Sequence, residues 1–88
     1  MNKQAIIDEL IFLLETNGAE IRKEPLGGGG GGLCIVKGKA IFFLDTQGSS
    51  AEIAVLAAQA VTKVVDIETI YVKPQVRQFI EDYANNST

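Results

Sequence analysis

Six consecutive glycines, Gly27, Gly28, Gly29, Gly30, Gly31 and Gly32, restrict what this chain can fold into more than any other feature. A run without a single Cβ has nothing to bury and a large backbone entropy to lose, so it belongs inside neither a helix nor a strand. The run must be a loop, and the regular elements of the 88-residue chain have to be placed on either side of it.

Before the run, Ile6, Leu10, Leu13 and Leu14 recur at helical spacing, with Ile7 and Ile11 widening the stripe. This predicts a helix over 3–17, stopped by Asn17-Gly18. Residues 19–24 then alternate, Ala19 and Ile21 against Glu20, Arg22 and Glu24, as in a half-buried strand near a sheet edge.

After the run, Leu33–Val36 and Ala40–Leu44 are apolar segments joined by Lys37-Gly38-Lys39, a hairpin pattern. Ala40–Leu44 is apolar on both faces, as expected of a central strand. Ser49 and Glu52 form a capping box ahead of an alanine-rich helix over 51–65. Thr69–Val72 reads as a short last strand, and Pro74 opens a third helix carrying Val76, Phe79, Ile80 and Tyr83 on one face. The expected architecture is α+β, a small, mainly antiparallel sheet of three to four strands with helices packed on it, in the order α-β-β-β-α-(β)-α. Residues 1–84 make one domain and 85–88 a frayed tail.

Composition narrows the function classes. A net charge of −3 argues against nucleic acid as a partner. The longest apolar run, Leu10 to Leu14, is far too short to span a bilayer. With no secretory pattern at the N-terminus and one cysteine, the expected location is cytoplasmic. There is no histidine, which removes the commonest general base, any Ser-His or Cys-His couple and the usual zinc ligands. No metal, cofactor or catalytic residue is expected, and the chain is read as not an enzyme.

The glycine run has two readings. As a connection it is mobile and tolerates shortening by two residues. As a ligand site, its N–H groups cradle an anion together with Ser49 and Ser50 at the start of the second helix. The Walker pattern is absent, since Gly32 is followed by Leu33, and strand signals flank both sides. If the three strands form a meander, the run and the start of the second helix share one end of the sheet, with Lys37 and Lys39 at the other. Cys34 reads as a small core residue and Asp45 as loop and cap chemistry.

Gly32 to Asp45, the helix from Ala51 to Val65, and the ending Ile70 to Glu81 together resemble a group of short uncharacterised bacterial proteins with no assigned activity. A second likeness is to zincin-like metallopeptidases of the repressor-cleaving type. Leu56-Ala57-Ala58-Gln59-Ala60-Val61-Thr62 lies where such a protein carries Leu-Ala-His-Glu-x-x-His. Ala58 and Thr62 replace both ligands and Gln59 the general base, so this resemblance implies a His-less domain without peptidase activity.

The leading functional expectation is a small interaction protein that binds a protein partner or a second copy of itself. Phe12 falls off the Leu10/Leu14 line and is the candidate interface residue, and the expected homodimer buries part of the first helix or an exposed strand edge. The alternative is a small-molecule or anion binder using the glycine run with Ser49 and Ser50.

Overall fold

A computed structural model describes residues 1–84; the expected tail at 85–88 lies outside the described residues. Helix α1 spans Lys3–Thr16. Asn2 caps it, its side chain accepting from the Ala5 N–H at 2.8 Å. Gly18, at φ +93°, turns the chain out of the helix.

Three strands follow, β1 (Glu20–Glu24), β2 (Gly32–Val36) and β3 (Lys39–Asp45). Then come α2 (Ser50–Val64), capped by Ser49 accepting from the Glu52 N–H, and α3 (Pro74–Tyr83). The described residues thus form an α+β domain in the order α-β-β-β-α-α.

The sheet order is β1-β3-β2. β3 is central, as its two-sided apolar character predicts, but the strands do not form a meander. β2 and β3 make an antiparallel hairpin, whereas β1 pairs parallel to β3. The sheet is therefore mixed, with one parallel and one antiparallel pairing. β3 has two apolar faces and no charge between Ala40 and Leu44, so both neighbours pair with it rather than with each other.

Register separates the two faces of the sheet. Ile21 and Leu33 both oppose Phe42 and point with it into the core. Phe42 is 1% exposed. It belongs to one buried cluster with Ile7, Leu10 and Leu14 of α1, Ala54, Ala57, Ala58 and Val61 of α2, and Val76 and Ile80 of α3, which packs on the other two helices. All three helices thus contribute to one core on one side. The opposite face carries Cys34, Val36, Ile41 and Phe43 beside Glu20, Arg22 and Glu24, and none of the four apolar residues joins the core.

No strand forms at Thr69–Val72. Asp66–Thr69 closes a turn through the Thr69 N–H to the Asp66 carbonyl, and the segment continues as a strap. Val72 is buried from it, Lys73 pairs with Glu9 of α1, and the Arg77 guanidinium donates to the Ile67 carbonyl at 2.6 Å. These side-chain anchors hold the strap against α1 and α3, away from the sheet edges a fourth strand would need.

The alanines of α2 set how closely α1 and α2 approach. Ala54, Ala57 and Ala58 have no exposed surface. An added isobutyl group there would meet a filled interior. Ala58→Leu is expected to lower stability by about 1–3 kcal/mol, and Ala51→Leu, on the exposed face, by less than ~0.5 kcal/mol. Urea unfolding of both variants checks this.

Candidate functional site

β1 and β2 lie on opposite sides of β3, so the chain from Glu24 to Gly32 has to cross the end of β3. The span is two strand spacings, roughly 10 Å. The glycine run makes this crossing. Beneath it lies Asp45, the last residue of β3, which is 3% exposed.

The Asp45 carboxylate is enclosed by backbone donors. One oxygen accepts from the Leu26 and Gln47 N–H groups, both at 2.9 Å. The other accepts from Gly28 at 2.6 Å and, more weakly, from Gly30 at 3.5 Å. Gln47 adds a second tie, its side-chain oxygen accepting from the Gly27 N–H at 2.8 Å. Gly27 and Gly28 sit at φ +86° and +92°, which glycine adopts freely. This is the concave array of N–H groups that binds phosphates in other proteins, here wrapped around the chain's own carboxylate.

The donors act against the cost of burial. The Leu26 N–H is the largest influence on Asp45. Desolvation opposes it, the Gln47, Gly28 and Gly30 N–H groups reinforce it, and together they hold the carboxyl below its ordinary 3.8.

Each residue singled out in the sequence can now be placed. Gly27 to Gly32, Ser49 and Ser50 do share the end of the sheet where α2 begins. Gly28 and Gly30 turn their N–H groups to Asp45, and the Ser49 hydroxyl accepts from Glu52, so these groups are engaged within the chain. The run is shaped rather than slack. A Cβ on Gly31 would stand 2.7 Å from the Phe43 carbonyl oxygen, and the loop is pressed against the end of β3. Shortening by two residues is expected to cost stability only where it takes the Gly28 or Gly30 N–H from Asp45, since the crossing itself is shorter than the chain that makes it.

Cys34 is exposed, not core. It lies on the uncovered face of edge strand β2, opposite Ile41, where helix packing does not reach. Ala58 is fully buried in the core, whereas Thr62 is exposed and its hydroxyl donates to the Gln59 carbonyl at 2.7 Å. No group of three or more potential metal ligands occurs among the described residues. No described helix is long and apolar enough to cross a membrane.

Phe12 is 59% exposed, as its position off the buried stripe predicts. It rims a shallow apolar groove with Leu13, Val72, Val76 and Tyr71, and Tyr71 is 80% exposed. A second apolar area is β2 itself, where Ile35 is 62% and Val36 49% exposed. The sequence does not single out Tyr71, and it does not say that the exposed strand edge is β2. The strand order that makes β2 an edge is decided by pairings distant along the chain.

The fold and site together define a two-layer α+β domain with a self-filled anion nest and an open sheet face. Comparison with protein-family models, curated proteins and solved structures finds no match to this chain.

Two outcomes follow from the nest. Gly31→Ala is expected to destabilise by about 1–3 kcal/mol because the backbone must shift, whereas Gly29→Ala, with open space around its Cβ, should change stability by under ~1 kcal/mol; thermal unfolding compares them. Because the folded-state pKa of Asp45 is depressed, its stabilisation is present above pH 3.8 and is lost as pH falls through the lower folded value. Asp45→Asn should reduce stability at neutral pH and flatten the acid limb of a urea-midpoint-against-pH profile relative to wild type.

Proposed function

We propose that this chain is a small, non-enzymatic interaction protein that associates with a second copy of itself. The observation that supports this most directly is the exposure of large apolar side chains, Phe12, Ile35, Val36 and Tyr71, on a domain this small. Scattered exposed apolar residues are ordinary, but here they gather on two surfaces, the α1–strap groove and the β2 edge. An isologous contact between identical copies buries such a patch twice over.

The chemistry around Asp45 points the same way. A carboxylate serving as base or nucleophile needs a free oxygen facing a substrate. Both oxygens of Asp45 instead accept from the loop backbone, in an arrangement that closes the sheet end. For the same reason the anion-binding alternative is not favoured: a phosphate would have to displace Asp45 from the N–H groups it occupies.

Light scattering across about 5–500 μM protein tests the reading. A concentration-dependent rise from monomer to dimer mass is expected, and a strict monomer over the whole range overturns it. Phe12→Asp should fold as wild type, with a stability change within ~0.5 kcal/mol, because the side chain is already in solvent. Its effect on the dimer mass reports whether the α1 surface carries the contact.

A further inference from the structure

The two sheet edges are built differently. β1 carries Glu20, Arg22, Lys23 and Glu24 in five residues, and charges of this kind guard an edge against pairing. β2, Gly-Leu-Cys-Ile-Val, carries none, and Cys34, Ile35 and Val36 are exposed in succession. Nothing in β2 itself discourages another strand from adding to it.

Backbone geometry says which groups are available. The hairpin closes on the two-residue turn Lys37-Gly38, both at positive φ, with Val36 opposite Lys39. In such a turn the flanking pair exchanges its hydrogen bonds, and the ladder alternates from there. Val36, Cys34 and Gly32 therefore direct their N–H and C=O groups to β3. Leu33 and Ile35 direct theirs outward, to the open edge.

We infer that β2 pairs antiparallel with β2 of a second copy about a two-fold axis at Cys34, joining two three-stranded sheets into one of six. This rests on the self-association proposed above and assigns its surface. The register centred on Cys34 places Leu33 of each copy opposite Ile35 of the other, so the outward groups of all four residues are paired. It makes Cys34 opposite Cys34 a non-hydrogen-bonded pair, with Cα atoms about 4.5 Å apart. Cys34, Val36, Ile41 and Phe43 of both copies then form one continuous apolar face.

Charge supports an identical partner. Lys37 and Lys39 lie at the turn end of β2 and make no ion pair among the described residues. The exposed first-turn residue Glu52 of α2 lies at the other end, as does Glu24, which pairs with Arg22. The two-fold brings Lys37 of each copy opposite Gly31 of the other, so the basic turn of one chain lies at the Glu52 end of its mate. A strand pairing parallel to β2 would instead set like ends side by side.

Cross-linking and one backbone substitution test this. Copper phenanthroline, as the added oxidant, removes the two thiol hydrogens and joins the Cys34 sulfurs of a dimer, a separation compatible with a disulfide. Wild type should cross-link at least tenfold faster than Cys34→Ser/Val36→Cys, whose thiols in the same register stand about 13 Å apart along the strands. Ile35→Pro removes an outward N–H without touching the β2–β3 ladder, and it should shift the protein to monomer at all concentrations with an unchanged circular dichroism spectrum. If that variant unfolds, Ile35→Lys at the same exposed position serves, with the same expected loss of dimer.

A wild-type monomer throughout overturns both the self-association and its surface. A dimer that survives the position 35 substitution, cross-links no faster at Cys34 than at position 36, and dissociates on Phe12→Asp overturns the β2 assignment and leaves self-association standing through α1.

Discussion

The Asp45 carboxylate, accepting from Leu26, Gly28, Gly30 and Gln47, ties together parts of the chain that the sheet order forces apart. β1 and β2 follow each other in sequence but flank β3, so their connection must pass over the end of the central strand. A side chain at position 31 would force the loop to stand off from that end. The glycine run presses down on it, with Gly31 backed against the Phe43 carbonyl and the N–H groups turned inward. A buried carboxylate without partners is costly, and N–H groups stripped of water are costly too. Each requirement is met by the other, and Thr46 extends the closure by donating to the Glu24 carbonyl at 3.0 Å.

With the crossing closed, the rest of the arrangement follows. β3 is fixed between a parallel and an antiparallel neighbour, and α2 begins five residues after Asp45. It then runs back over β2 and β3, its small alanines letting α1 lie close, while α3 packs against both helices. Lys3 over the Phe79 ring at 5.0 Å and the Lys73–Glu9 pair pin α3 and its strap to α1. Lys73 is held protonated above its ordinary range by that hydrogen bond and the Glu9 charge. Placing every helix on one side leaves the other face of the sheet open. The exposure of Cys34 and Val36 on that face is therefore a by-product of the same topology that buries Asp45.

The nest also shows how a motif can mislead when read by composition alone. Glycine-rich loops bind anions because consecutive N–H groups can converge, and this loop's N–H groups do converge. The anion lies 15 to 19 residues further along the same chain. A floppy connection and a ligand cradle are the two obvious readings of six glycines, and the structure is a third, an ordered loop whose ligand is internal. Asp45 at the end of an apolar strand was the available signal, but its pairing with the loop depends on which strand lies between β1 and β2.

Local patterns determined the helices, the hairpin and the caps, because these depend on residues within a few positions of one another. Helical spacing from Ile6 to Leu14 located α1, Lys37-Gly38 the turn, Ser49 and Glu52 the start of α2, and Pro74 the start of α3. Phe12, off the apolar stripe, was legible as exposed for the same reason. Tertiary structure alone decided the strand order, and with it three things that local patterns misplaced. Cys34 became a surface residue because register turns it, with Ile41, to the sheet face that no helix covers. Thr69–Val72 became a strap because side-chain anchors to α1 and α3 hold it away from the sheet. The glycine run became a clasp because β3 lies between the strands it joins. A strand's own residues specify that it will pair and which face it will bury, but the choice of neighbour is made by competition among all strands for the most apolar one.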